Sequence, residues 1–455
     1  MRNESPALPL PMTRASKPVD PLTRLMRLLL LGALMHGASA WAALPIQQWT
    51  TTQGMHVLFV AEHTLPMLDV QLDVHAGTAS DPAGREGLAA LVAENLNDGT
   101  PLHDEDALAR LFADLGAVYG VHSDIDRSGV NLRTLSAPAT RAAALDGLVE
   151  ILQTPLFPAA AFERERKRAL SALQESLAQP AGLAERAFYP RLFPAHGYGA
   201  VVSAASLERI TRDDLAAFYA QHWHAARSVL TLVGDLSRAD AEALAERLGA
   251  ALPAGPAVAD PSAPTMPPVS GELHIAHPAA QAHILLGQPA FAYGDPDYVP
   301  LMVANYVLGG GGFSSRLTDE VREKRGLTYG VTSQFTPLQS AGTFTIGLET
   351  RRDQAGQALA LVRKVLDDFV LQGPTAAELR DAKQYLVGSF PLRLDSNHKQ
   401  LDFVANIGFH QLPLDWASAY PRAIQQVTLA QVRDAVRRRL HPEQMVTVVV
   451  GGEAR

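Results

Sequence analysis

The chain of 455 residues contains no cysteine. Disulfides and thiolate metal sites are therefore excluded. A basic excess is also missing: 39 Lys and Arg stand against 47 Asp and Glu, a formal net charge of −8. Phosphate backbones are bound by clustered basic residues, so nucleic acid is disfavoured as a partner. No Gly-x-Ser-x-Gly elbow occurs, which removes the common serine-hydrolase arrangement. No glycine-rich stretch runs into Gly-Lys-Ser/Thr, which removes a phosphate-cradling loop. An uninterrupted apolar run of the ~20 residues needed to cross a bilayer is absent as well.

What is present is the composition of an ordinary globular protein, 47% apolar. At roughly 150 residues per domain, the length suggests two or three domains. Near the start, Leu25-Met26-Arg27 leads into the apolar run Leu28 to Leu34, followed by Gly37-Ala38-Ser39-Ala40-Trp41-Ala42-Ala43. A charged start, a short apolar core and small residues mark a secretory signal, with cleavage expected after Ala40 or Ala43. The long polar stretch before it makes Met26 an alternative start. Residues 1–43 are thus read as signal peptide and preceding segment, and the mature protein as periplasmic, with no membrane contact after cleavage.

Periodicity places the elements. Met55–Glu62 and Met67–Ala76 alternate or run apolar around His63-Thr64-Leu65-Pro66 and read as a β-hairpin. A helix is expected within 87–100. Asp104–Leu115 is amphipathic, with Leu108, Leu111, Phe112 and Leu115 at helical spacing. Val118–Leu135 reads as two strands around Asp126-Arg127-Ser128-Gly129. Helices are expected over Arg141–Leu152, Ala160–Leu177 and Asp213–His222, and the strand Ser228–Val233 is read as closing this half.

Pro253, Pro256, Pro261, Pro264, Pro267 and Pro268 crowd the stretch 253–270. Proline fixes φ and supplies no N–H donor, so this is an extended linker between lobes 44–252 and 271–455. The lobes resemble each other. Thr211 to Gly234 aligns with Thr428 to Gly451 without a gap: Thr211 meets Thr428, His224 meets His441, and Val233-Gly234 meets Val450-Gly451. Upstream, Tyr119-Gly120-Val121-His122-Ser123 meets Tyr329-Gly330-Val331-Thr332-Ser333. The chain reads as a duplicated α+β unit.

Two stretches remain. The first, Gly87-Leu88-Ala89-Ala90-Leu91-Val92-Ala93-Glu94-Asn95-Leu96-Asn97-Asp98-Gly99-Thr100, frames a helix between Gly-Leu-Ala and Gly-Thr. The second, Leu308-Gly309-Gly310-Gly311-Gly312-Phe313-Ser314-Ser315-Arg316-Leu317, continues to Arg322-Glu323-Lys324-Arg325-Gly326-Leu327-Thr328-Tyr329. Four glycines are costly in a regular element. Ser314 or Ser315 can cap the following helix, Gly326 can stop it, and Thr328–Phe335 runs as a strand. Among the histidines, His222 and His224 do not share a helical face. His274 and His277 point to opposite faces of an expected strand. His75 and His103 match no ligand spacing.

Both stretches resemble the pitrilysin/insulinase metallopeptidases, the inverzincins. Further matches lie in Gly77-Thr78, in the turn His196-Gly197-Tyr198-Gly199, where Gly197 stands for proline, and in Ile210-Thr211 through Val233-Gly234-Asp235. The likeness runs from about Leu44 to Gly452. It implies two homologous lobes, each a mainly antiparallel sheet packed with helices, together forming half of a clamshell. In that family the first helix carries His-x-x-Glu-His, two zinc ligands and a general base. Those positions fall here on Ala90, Ala93 and Glu94. Counting back from Pro180 places the third ligand on Ala172, with Glu175 about one turn away. The zinc ligands are therefore missing, and no metal or other cofactor is expected on this chain.

In the second stretch the resemblance assigns substrate contacts to Gly309, Gly310, Gly311, Gly312 and Phe313. It gives Arg322 a substrate-holding role and Tyr329 a role at the developing oxyanion. Equivalence with Tyr119 leaves open a plain packing role for Tyr329, and the charged helix leaves open plain solvation for Arg322. The family includes paired subunits in which one holds zinc and the other has lost it. The resemblance implies a non-catalytic, substrate-binding subunit that completes a zinc-bearing partner's site with Arg322 and Tyr329. The alternatives are an inactive peptide-binding or scaffold protein without such a partner, and a peptidase using ligands of another pattern.

Overall fold

The computed structural model describes residues 44–254, 263–264 and 270–451. The expected signal segment 1–43 and most of the linker 253–270 lie outside the described residues. The first sheet has six strands: β1 Gln47–Thr50, β2 His56–Ala61, β3 Met67–Val74, β4 Val118–Ser123, β5 Ser128–Leu135 and β6 Ser228–Gly234. Their spatial order is β1-β2-β6-β3-β5-β4. The second has five: β7 Gly271–Ile275, β8 Gln281–Pro289, β9 Thr328–Thr336, β10 Thr343–Arg351 and β11 Val446–Val450, in the order β7-β11-β8-β10-β9.

Apart from β1, which has no counterpart, the two sheets share one topology strand by strand. β2 is parallel to β6, as β7 is to β11, and every other pairing is antiparallel. The duplication read in the sequence is thus a duplication of architecture. Its local devices repeat too. Thr211 and Thr428 each accept, through the hydroxyl, from the backbone N–H three residues on, and each donates its own N–H to the side chain of that residue, Asp214 or Gln431. The helices they start, Arg212–His222 and Leu429–Arg439, both lead to an interior strand of their sheet, β6 and β11. That strand is buried along its whole length in both lobes, Ser-Val-Leu-Thr-Leu-Val-Gly and Val-Thr-Val-Val-Val. Continuous apolar strands of this kind sit where both faces are covered.

The expected hairpin Met55–Glu62/Met67–Ala76 is corrected. β2 and β3 are both strands and run antiparallel, yet β6 lies between them and bonds to each. Alternation fixes which residues form a strand but not which strand is its neighbour. Nor does β6 close the lobe. The helix Arg238–Ala251 follows it, burying Leu244, Ala245 and Leu248 against the first core. The helices expected over Asp104–Leu115, Arg141–Leu152, Ala160–Leu177 and Asp213–His222 are present as Glu105–Asp114, Pro138–Gln153, Ala159–Leu177 and Arg212–His222.

Each lobe lends a helix to the other's sheet. Pro180–Leu192, from the first half, lays Ala184, Phe188 and Leu192 on Val446, Val448 and Val450 of β11. Asn397–Phe409, from the second half, lays Leu401, Val404 and Ile407 on Leu58, Val60, Val229 and Val233. The fit is close at Gly408, where a Cβ would lie 2.4 Å from Leu58 Cδ1 and 2.8 Å from Val229 Cγ1. Polar groups fix the joint. The Tyr198 hydroxyl donates to Asp126 Oδ1 at 2.6 Å and accepts from the Ser340 N–H at 3.2 Å, and Asp126 Oδ2 accepts from the Gln339 N–H at 2.8 Å. The turn holding Tyr198 needs glycine at 197, because a Cβ there would meet Ala79 O at 2.4 Å. Among the described residues no helix is long and apolar enough to cross a membrane.

Candidate functional site

The Leu88–Glu94 helix is only seven residues long and is entered from Gly87 at φ +104°. An isolated helix of that length would not persist, so tertiary contacts must hold it. Its N-terminus is capped at a distance by Asp81, whose two carboxylate oxygens accept from the N–H groups of Gly87 and Ala89, each at 2.7 Å. Burial nevertheless outweighs these bonds and pushes the Asp81 carboxyl up to about 7. Leu88, Ala89, Leu91, Val92 and Ala93 are buried. The opposite face presents Ala90 and Glu94, as positions four apart on a helix must.

Ala90 and Glu94 line a cavity of about 470 Å³ with the Ala159–Leu177 helix, which contributes Glu165, Arg168, Ala169, Ala172, Leu173 and Ser176. Gly87, Leu91, Val202 and Leu207 complete the wall. Three of the four alanine and glutamate positions singled out from the sequence, Ala90, Glu94 and Ala172, therefore meet around one space. Ala93 does not line it and lies in the core, 1% exposed. Between the two alignments left open for the third ligand, the structure brings Ala172 to the cavity and not Glu175. Glu165 and Arg168 were not singled out. They belong to the same helix face as Ala172, at spacings of seven and four, and that spacing was the available signal.

The donor set does not fit a metal. Ala90 and Ala172 offer no lone pair. Glu165 accepts from Arg164 Nε at 2.9 Å and from Arg168 Nη1 at 2.8 Å, so each of its oxygens already faces a guanidinium. Arg164 also bridges Asp98 at 3.1 Å and Glu105 at 2.9 Å. Burial and the neighbouring Glu105 push the Asp98 carboxyl up to about 6, with Arg164 opposing. Among the described residues no group of three or more His, Cys, Asp or Glu could hold a metal ion. The cavity is a largely carbon-walled pocket with charged groups at its edge.

The second stretch forms a loop with two wide helical turns. Tyr306–Gly310 and Thr318–Glu323 are π-helical. Such turns are uncommon and concentrate at functional sites. Gly312 takes φ +58°, a conformation that favours glycine. Ser315 caps the second turn, its hydroxyl accepting from the Thr318 N–H at 3.4 Å, and Gly326, at φ +60°, ends it as expected. Arg322 stands over the Phe313 ring, 4.7 Å from its centroid, and 3.4 Å from Glu323. Phe313 is 71% and Tyr329 85% exposed.

Tyr119, the counterpart of Tyr329, behaves differently. It stacks on Phe112 at 5.4 Å, and burial, with Tyr219, Asp98 and Glu94 nearby, raises its phenol. The duplicated tyrosines have thus diverged, one packed and one presented to solvent. An aromatic pair outside the expected set adjoins the loop: Tyr306 stacks on Tyr385 at 4.9 Å.

Two lobes of shared topology, with an alanine-walled cavity in the first and an exposed glycine-rich loop and Tyr329 in the second, define a fold whose described residues offer no metal centre. Comparison with known proteins agrees. Residues 56–200 match the family model for insulinase, peptidase family M16, and residues 209–386 match that for the peptidase M16 inactive domain. A crystal structure of a peptidase M16 inactive domain from Pseudomonas fluorescens is similar at 39% identity and TM-score 0.87, covering 90% of this chain and 98% of that one. A non-peptidase homolog, YmxG of Helicobacter pylori, is 29% identical over 90% of this chain and 94% of its own length. The periplasmic protease PqqL of Escherichia coli shares the fold, at TM-score 0.77 and 16% identity, over 90% of this chain and 45% of that one. The chain belongs to the M16 peptidase family, the pitrilysin/insulinase group.

Proposed function

We propose that the chain is the non-catalytic, substrate-binding subunit of a heterodimeric zinc peptidase in the periplasm. The observation that carries this is a division within one molecule. The positions that the family resemblance gives to metal ligands hold Ala90 and Ala172, beside a guanidinium-bound Glu165, while Tyr329 is left 85% exposed and Arg322 stands over the Phe313 ring. A tyrosine kept only for packing would be covered, as Tyr119 is. A solvent-facing phenol and guanidinium suit a site that a second chain completes. The partner would hold zinc, which polarises the scissile carbonyl and activates water. In this chain Arg322 would pair with a substrate carboxylate or carbonyl. Tyr329 would donate to the oxygen on which charge develops. Phe313 holds the Arg322 guanidinium over its ring face before substrate arrives, and the glycine loop lets peptide backbone approach closely. Export to the periplasm rests on the N-terminal segment and on the periplasmic homologue of the same fold.

The test is reconstitution with a zinc-bearing subunit encoded nearby. Arg322→Ala should cut turnover of the pair strongly while leaving assembly intact. Full activity in that variant would remove the role given to Arg322. A peptide-binding role without a peptidase partner is favoured by a different observation, the cavity of about 470 Å³ that persists where the ligands are gone. Peptide binding by the isolated chain, with no effect on any partner's turnover, would select it.

A further inference from the structure

We propose that the alanine-walled cavity holds the free amino terminus of a peptide whose first side chains are large and aliphatic. This deepens the peptide-binding reading of that cavity and does not depend on the role given to Arg322 and Tyr329. The cavity's volume of about 470 Å³ falls within the roughly 300–1,000 Å³ of small-ligand sites. One side is the Ala159–Leu177 helix, where Ala169, Ala172, Leu173 and Ser176 follow one another along a single face. Seven steps of about 1.5 Å make that face roughly 10 Å long. An extended peptide covers the same distance in about three residues. Across from it stand Ala90, Leu91, Val202 and Leu207. Apart from the Ser176 hydroxyl these side chains are all hydrocarbon. Alanine at 90 and 172 is what leaves the space, since neither side chain reaches beyond Cβ.

The charge gathers at one end of this trough. Arg164 bridges Asp98, four residues beyond Glu94, at 3.1 Å, and it also bonds Glu165 at 2.9 Å. The Glu94 end of the short helix therefore faces the Glu165 and Arg168 end of the long one. Glu165 is already engaged, its two oxygens accepting from Arg164 and Arg168. Glu94 is exposed, and among the described residues no hydrogen bond or ion pair holds it. With Asp98 and Glu105, both paired to Arg164, four carboxylates stand against two guanidinia. An incoming anion meets this excess and gains no partner, whereas an ammonium gains Glu94. An ammonium at one end and a hydrocarbon body behind it is what a peptide presents at its amino terminus when its first residues are aliphatic. Capture of a terminal amine is a recurrent mode of peptide recognition. An unbranched alkylamine reaches along the wall but fills little of the volume. Two leucine-sized side chains and their backbone fill both its length and its width.

The test titrates the whole chain calorimetrically with leucyl-leucyl-glycinamide, its N-acetyl form, triglycinamide and hexylamine. The leucyl peptide is expected to bind saturably, one per chain. Acetylation should weaken it about three- to fivefold, the scale of an exposed ion pair. Triglycinamide should show no saturation, and hexylamine should bind at least about tenfold more weakly than the leucyl peptide, having less apolar surface to bury. Glu94→Gln should weaken the free peptide by the same factor as acetylation and leave the acetylated one unchanged, a coupling that lost packing alone would not produce. Ala90→Leu should fill the space and abolish binding of both peptides. Its ligand-free melt should stay unchanged, because Ala90 is only partly buried and leucine is a good helix former. Absence of saturable binding, undiminished binding in Ala90→Leu, or hexylamine binding as tightly as the peptide would each overturn the site. Equal binding of the free and acetylated peptides would overturn the amino-terminal assignment and leave the peptide-binding reading standing, so the two failures are told apart.

Discussion

Tyr329 and Tyr119 began as the same residue of a repeated unit and now do opposite things. Tyr119 is stacked on Phe112 inside the first lobe, and Tyr329 stands free of the second. Loss of an exposed hydroxyl has little effect on stability, usually within about 0.5 kcal/mol. Tyr329→Phe should therefore leave the melting temperature of the isolated chain unchanged. In a reconstituted pair it should lower kcat about 100-fold, the scale of losing one oxyanion donor. Steady-state kinetics and calorimetry on the same preparation check both halves. Two other side chains contribute to the pH response. His410 stacks on Tyr293 at 3.8 Å, and burial, reinforced by Arg127, depresses its pKa to about 3. The unfolded chain takes up a proton below about 6.5 that the native state refuses, so this group's contribution is present above 6.5 and is lost as pH falls toward 3. Asp81 acts in the opposite sense. Its folded pKa, about 7, exceeds the unfolded 3.8, so its contribution is present below 3.8 and is lost as pH rises through 7. Denaturant titrations of His410→Phe and Asp81→Asn against the unsubstituted chain, from pH 4 to 7, should show differences of opposite slope. Parallel slopes would contradict one of the two assignments.

At the scale of elements, how much could be read from the chain depended on how local the cause was. The paired capping boxes at Thr211 and Thr428 are local, and the repeat was visible there. Thr211→Ala and Thr428→Ala should each destabilise by about 1 kcal/mol, the usual loss for an N-cap. The neighbour of β2 was not local, since β6 arrives some 170 residues later and displaces the expected hairpin. The Pro180–Leu192 helix went unassigned because its apolar stripe answers to the other lobe's sheet and Pro190 interrupts its pattern. For the candidate site, Ala90 and Ala172 were legible only through the family frame, since alanine carries no chemical signature of what it replaced. The ion-paired Glu165 could have been found from its helical spacing to Ala172. Gly408 marks where the lent helix sits closest to β2 and β6. Gly408→Ala should overpack that contact and destabilise by about 1–3 kcal/mol, measurable by urea denaturation.

Across the whole molecule, the exchange of helices makes the two lobes one cooperative unit. Domains that meet through small polar interfaces melt separately, whereas these share apolar cores on both sheets. A single calorimetric transition is expected. Phe188→Ala, which empties a fully buried position between the lobes, should lower that one midpoint by the equivalent of about 3–5 kcal/mol rather than split it. The same rigidity matters for function. In the proposed pair, Arg322 and Tyr329 would have to be held on a frame that does not loosen when the partner leaves. The most direct measurement of the central claim is the metal content of the purified chain, taken together with its peptidase activity after incubation with excess zinc. Alanine at the ligand positions predicts zinc far below one per chain and no peptide hydrolysis. One tightly retained zinc per chain, with turnover abolished by a chelator, would contradict it.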